Sequence, residues 1–144
     1  MPKLKSLKYS SADWIKRLKI ESEKLERIDL QYVTLKEIEF SVKKIKYIKI
    51  YSSEIQHLKM LESEVLNELE YLEIATSQLQ RFPTLKAEKL KIIRMEYNQI
   101  SKKSGLTKSY LPSLQELYLT DMRCKRLPVL NFKNLKIFSL TSCY

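Results

Sequence analysis

Residue types that carry chemistry are scarce in this sequence, and their spacing argues against catalysis. His57 is the single histidine, in a turn-like stretch without carboxylate or cysteine neighbours at ligand spacing, so neither a general base nor a metal centre is built around it. Glu62 and Glu64 form a carboxylate pair in a strongly polar segment, the ordinary place for solvated acids. Two cysteines, Cys124 and Cys143, are too few for a disulfide framework and favour a reducing, intracellular compartment. With Gly105 as the one glycine, no glycine-rich phosphate loop can form. No catalytic, metal or cofactor-binding residue is expected, and no enzyme. Tyrosine is the exception: the chain has nine, an amphipathic ring suited to protein contact.

A repeat positions those rings. In Leu90 to Ile100, LKIIRMEYNQI, apolar residues fall at Leu90, Ile93, Met95 and Ile100, with Asn98 between the last two. The spacing fits neither a helical stripe nor plain strand alternation. It predicts a short strand over Ile93 to Met95, then a turn in which the Asn98 side chain faces inward. Such a unit cannot bury its apolar edge alone and needs copies on both sides. Copies begin at Leu4, Leu25, Ile45, Leu69, Leu90, Leu114 and Leu135, each with apolar residues three and five positions on, counting Tyr9. Trp14 closes the first copy and Cys124 the sixth. The slot of Asn98 holds Ala12, Val33, Ser53, Ser77, Met122 and Cys143 elsewhere.

This pattern resembles the leucine-rich repeat family, L-x-x-L-x-L-x-x-N-x-L, over nearly the whole chain, in short repeats of 20–24 residues. Leu127-Pro128, and Phe82-Pro83 with Phe for Leu, match the family's apolar-Pro continuation. The resemblance implies a single domain over residues 1–144, an α/β solenoid: a leucine-rich-repeat horseshoe of about seven repeats with a parallel concave sheet and short irregular or helical convex segments. The family places Asn or Cys in the ladder slot, where the side chain bonds backbone groups of neighbouring turns. Here only Asn98 and Cys143 conform, so the repeats are divergent.

Helical spacing in Leu61, Val65, Leu66, Leu69 and Leu72, and in Trp14, Ile15, Leu18, Leu25 and Ile28, raises a coiled-coil alternative. No heptad persists, while the long period does. Residues 59–67 are expected as one short convex helix, and residues 102–112 as the longest irregular loop.

Between the inward residues of each strand, side chains face outward with period two. The middle outward positions are Lys8, Asp29, Lys49, Glu73, Arg94, Tyr118 and Ser139. On strands about 4.8 Å apart, the first five make a ladder of alternating charge that contributes to register. Six tyrosines, Tyr32, Tyr47, Tyr51, Tyr71, Tyr97 and Tyr118, fall on the same concave face, with Tyr47 and Tyr71 in one slot of adjacent repeats. Together with Lys49, Glu73 and Arg94 they form the candidate partner-binding surface.

The net charge of +10 lies elsewhere. Residues 1–20 carry six basic and one acidic side chain, residues 101–144 eight and two, and the middle 13 and 14. Lys102, Lys103, Lys108, Arg123, Lys125, Arg126 and Lys133 are candidate phosphate contacts. An apolar content of 44% with 31% charged residues suits a globular chain. No stretch approaches a membrane span or a signal peptide, so a cytoplasmic location is expected, with the nucleus open. Neither end shows the polar cap of a solenoid. Leu135, Phe138 and Leu140 would form an exposed edge strand, and the ends are expected to be covered by a partner or by self-association. The expected function is a non-catalytic protein-interaction module, a scaffold subunit of a larger assembly. The alternative is a basic accessory subunit contacting RNA or a ribonucleoprotein such as the ribosome.

Overall fold

Apolar residues at the fourth and sixth positions of each copy can be buried together only if the copies stack in register, and they do. The computed structural model of the chain describes residues 3–10, 12, 14–51, 54–55, 58, 61, 66–76, 78–102, 104–120 and 129–141. Its strands are β1 (Ser6–Ser10), β2 (Trp14–Ser22), β3 (Arg27–Gln31), β4 (Thr34–Val42), β5 (Tyr47–Tyr51), β6 (Tyr71–Ala75), β7 (Ile92–Glu96), β8 (Glu116–Thr120) and β9 (Ile137–Thr141), and a short helix, α1 (Ser104–Lys108), precedes β8. A parallel sheet runs in the order β1-β3-β5-β6-β7-β8-β9, and β2 pairs with β4 in a second, two-stranded sheet. Leu7, Ile28, Ile48, Leu72, Ile93, Leu117 and Phe138 stand side by side across the large sheet, in the alignment read from the sequence.

Five of these strands, β3, β5, β6, β7 and β8, bury their inward rows, giving a parallel-strand solenoid of about five turns with almost no helix. Each fully buried Ile or Leu of these rows contributes about 1.5–3 kcal/mol of transfer free energy. The outermost strands differ: Tyr9 is 36% and Phe138 38% exposed, and Leu4, Leu7, Leu135 and Leu140 are only partly buried. The expected edge row Leu135, Phe138 and Leu140 is thus half-open, whereas the regular seven-repeat horseshoe is not what the chain forms.

The side of the turns opposite the large sheet corrects a second expectation. In place of short irregular or helical segments, residues 14–22, whose Trp14, Ile15 and Leu18 fit a helical spacing, and residues 34–42 are the strands β2 and β4. Leu18, Ile20 and Ser22 alternate with exposed Arg17, Lys19 and Glu21, and this two-residue period outweighs the coincidental helical one. Pairing sets Arg17 opposite Glu37 and Lys19 opposite Glu39, and Arg17 reaches both carboxylates, at 3.7 and 3.2 Å. Ile20, Leu35 and Ile38 join the core of the large sheet. Trp14, expected to close the first copy inward, starts β2 and is 61% exposed, with the Lys36 ammonium 4.9 Å above its ring. In place of an irregular loop over 102–112, α1 packs against the preceding turn. Most of the helix expected over 59–67 lies outside the described residues, as do His57, Cys124, Cys143 and Leu127-Pro128.

Asn98 is buried and holds two turns together. Its Nδ2 donates to the carbonyls of Ile74, in the preceding turn, at 3.0 Å and of Glu96 at 3.1 Å. At Val33 the same slot is apolar and buried, so the ladder is interrupted there. Just before this slot the chain turns its corner through left-handed residues, Tyr32, Thr76 and Tyr97, with φ of 57, 52 and 55°. Each follows directly on β3, β6 or β7. Non-glycine residues adopt this region at a cost of about 1–2 kcal/mol.

Candidate functional site

Parallel in-register stacking converts a sequence slot into a row of side chains across the large sheet. The middle outward row is Lys8, Asp29, Lys49, Glu73, Arg94, Tyr118 and Ser139, neighbour to neighbour. Charges alternate over its first five members. Asp29 and Glu73 are 5% exposed although they face away from the core. Neighbouring side chains lie down over them. Asp29 accepts from Gln31 Nε2 at 2.8 Å and pairs with Arg27 at 3.5 Å. Glu73 accepts from the Tyr71 hydroxyl and pairs with Lys49 at 3.6 Å.

A neighbouring row, one step toward the strand starts, runs Ser6, Arg27, Tyr47, Tyr71, Ile92, Glu116 and Ile137. Here the rings stack. Tyr47 and Tyr71 lie 4.5 Å apart between centroids with planes 5° from parallel. The Arg27 guanidinium sits 3.7 Å from the Tyr47 centroid. Because β3 and β6 flank β5, Arg27 and Tyr71 cover opposite faces of the Tyr47 ring. Farther along, Arg94 lies 3.9 Å over Tyr118, whose hydroxyl donates to Glu116 at 2.9 Å, and Lys49 lies 5.2 Å over Tyr51. Cation–π and ring–ring contacts of this kind contribute about 0.5–1.5 kcal/mol each.

Of the nine residues expected on this surface, Tyr47, Lys49, Tyr51, Tyr71, Glu73, Arg94 and Tyr118 are brought together. Tyr32 and Tyr97 are not in the paired rows. They stand at the left-handed corners, 73% and 59% exposed. Among the candidate phosphate contacts, Lys102 and Lys108 are exposed on the turns and α1, away from the sheet face, and Lys133 is exposed in the turn before β9. A parallel bridge places Lys102 beside Arg81 of the preceding turn. Lys103, Arg123, Lys125 and Arg126 lie outside the described residues. No group of three or more His, Cys, Asp or Glu side chains able to hold a metal occurs among the described residues, and none of their helices is long and apolar enough to cross a membrane.

A second ladder escaped the sequence reading. Backbone hydrogen bonds link Lys5, Glu26, Lys46, Glu70, Lys91, Gln115 and Lys136 across the sheet's edge, the amide of each after Lys5 donating to the carbonyl of its counterpart one turn earlier at 2.8–3.0 Å. Side chains pair along it too: Lys46 with Glu26 at 3.1 Å and Lys91 with Glu70 at 2.9 Å, which holds both carboxyls below their usual range. The signs are in phase with the middle row, so the first five turns are alternately basic and acidic. Slipping the stack by one turn would set like charges together. The slot after each repeat's first leucine carries this alternation in plain view.

Tyrosine ionisation gives the site a pH signature. Burial, and then the hydrogen bond to Glu73, push the Tyr51 hydroxyl up to about 12, and Tyr71 is pushed up for the same reasons. A pKa raised in the folded state means stabilisation that is complete below the unfolded value near 10 and lost as pH climbs through the folded values. The denaturation midpoint should hold steady up to about pH 9 and fall from about pH 10 upward. Tyr71→Phe should flatten that fall. An unchanged alkaline profile in this variant would show that Tyr71 is not held beside Glu73.

Compared with known proteins, the chain matches no family model, no curated protein and no solved structure.

Proposed function

We propose that the chain is a divergent leucine-rich-repeat solenoid acting as a non-catalytic protein-interaction module, a scaffold subunit of a larger intracellular assembly. The in-register apolar rows and the Asn98 bonds to two turns support the repeat assignment. The observation carrying the function is the Arg27–Tyr47–Tyr71 stack. It is a rigid aromatic surface, pre-organised by Asp29 and Glu73 beneath it, and such tyrosines lose little entropy when a partner covers them.

RNA contact is the weaker reading for this face. Single strands bind by laying bases on free ring faces. Both faces of Tyr47 are already occupied, and one face each of Tyr51 and Tyr118 carries a cation. Tyr47, at the centre of the stack, offers an edge instead of a face, which suits peptide groups.

Affinity capture from cells, with and without nuclease, tests the proposal together with the double variant Tyr47→Ala, Tyr71→Ala. A captured protein should survive nuclease treatment, and the double variant should bind it more weakly by about 2–3 kcal/mol, roughly 30–150-fold. Far-ultraviolet circular dichroism checks that the variant is folded. Undiminished binding by the folded variant, or capture that vanishes with nuclease, overturns the proposal.

A further inference from the structure

The formal charge balance of the sheet face differs from the charge that solvent meets. The side chains of Asp29 and Glu73 are each 7% exposed, whereas Arg27 and Lys49, which pair with them, keep 47% and 25%. Arg27 and Gln31 close off Asp29, and Tyr71 and Lys49 close off Glu73. On the adjoining strand Lys8 is exposed and enters no ion pair among the described residues. A molecule approaching over β1, β3 and β5 therefore meets three cations and the edges of tyrosine rings, with the balancing carboxylates beneath them. Toward β7 and β8 the picture changes, because Glu96 and Glu116 are partly exposed.

We propose that the β1–β3–β5 region of this face takes an acidic, extended peptide segment of the protein partner, an inference that rests on the protein-binding reading above. Lys8 and Lys49 share a row two strands apart, about 10 Å. Three residues of a polyproline-II-like chain advance about 9 Å and return a side chain to the same side. Carboxylates three residues apart thus reach both ammonium groups, while the guanidinium of Arg27 lies between for a bidentate contact. Nucleic acid fits less well, since its phosphates would find the cations but its bases would find no uncovered face on Tyr47.

Fluorescence anisotropy with labelled octaglutamate, octalysine and an eight-residue oligothymidylate tests this directly on the full chain. Octaglutamate should bind at about 50 mM salt and weaken steeply by about 200 mM, as screened surface charges require. Oligothymidylate should bind at least about tenfold more weakly, and octalysine not at all. Arg27→Gln with Lys49→Gln should weaken octaglutamate binding about tenfold, and Lys8→Gln alone about threefold. Gln31 and Tyr71 still cover the two acids in the double variant, and Lys8→Gln disturbs no ion pair, so a folding defect in the first leaves the second decisive. Lys108→Gln with Lys133→Gln should have no effect. Tighter oligothymidylate binding, no preference for octaglutamate over octalysine, or loss confined to the Lys108 and Lys133 variant overturns the inference. If the captured partner is lost with Tyr47→Ala, Tyr71→Ala but retained with Arg27→Gln, Lys49→Gln, the acidic-segment inference fails and the protein-binding reading stands. If the tyrosine variant retains it, that reading itself fails.

Discussion

Gly105→Ala should destabilise the chain by about 3 kcal/mol or more. A Cβ at this position would lie 1.8 Å from the Phe82 carbonyl oxygen, 2.7 Å from its carbon and 2.9 Å from the carbonyl carbon of Pro83. All three are backbone atoms, so no rotamer change relieves the clash. Glycine is needed for close approach: it lets α1 press onto the Phe82-Pro83 segment of the preceding turn. Ser109 then bridges the same turns, accepting from the Leu85 amide at 2.9 Å while its hydroxyl donates to the Gly105 carbonyl at 2.7 Å. Moving α1 outward would break those bonds and uncover Leu106, which is fully buried. Thr107→Ala, on an exposed position of the same helix, should stay within about 0.5 kcal/mol of the parent. Chemical denaturation of both variants measures the contrast, and equal stabilities would mean that α1 does not seat against Phe82.

Asn98→Asp should cost about 3–5 kcal/mol at neutral pH. The asparagine is 2% exposed and its two amide protons satisfy the carbonyls of Ile74 and Glu96. An aspartate there would bury an unpaired charge facing two carbonyl oxygens. Its folded pKa would rise above the unfolded value near 3.9, so the penalty is complete at neutral pH and fades as pH falls through the folded value. The variant should therefore approach the parent's stability on acidification. A variant as stable as the parent at neutral pH would show that the position is open to water.

Much of this was legible in the sequence because parallel stacking is an alignment problem. Apolar residues at the fourth and sixth positions set the register, and Lys8, Asp29, Lys49, Glu73 and Arg94 became neighbours as a consequence. The path between the strands was harder. Trp14, Ile15 and Leu18 satisfy a helical spacing by coincidence, and strand formation over residues 14–22 depends on a partner twenty residues away in β4. Gly105 looked unremarkable as a loop glycine, since its close contact involves a backbone carbonyl from another turn. Nor does a slot pattern say which side chains lie flat: the burial of Asp29 and Glu73 beneath Arg27, Lys49 and Tyr71 follows from side-chain packing across strands.

The most direct test places a photo-crosslinking phenylalanine analogue at Tyr51, in the cationic–aromatic part of the sheet face, and at Lys108 on α1 as a control. After irradiation in cells, position 51 should yield protein adducts that resist nuclease, and position 108 few or none. Adducts only from position 108, or adducts from position 51 that nuclease removes, would contradict protein binding through the outer face of the sheet.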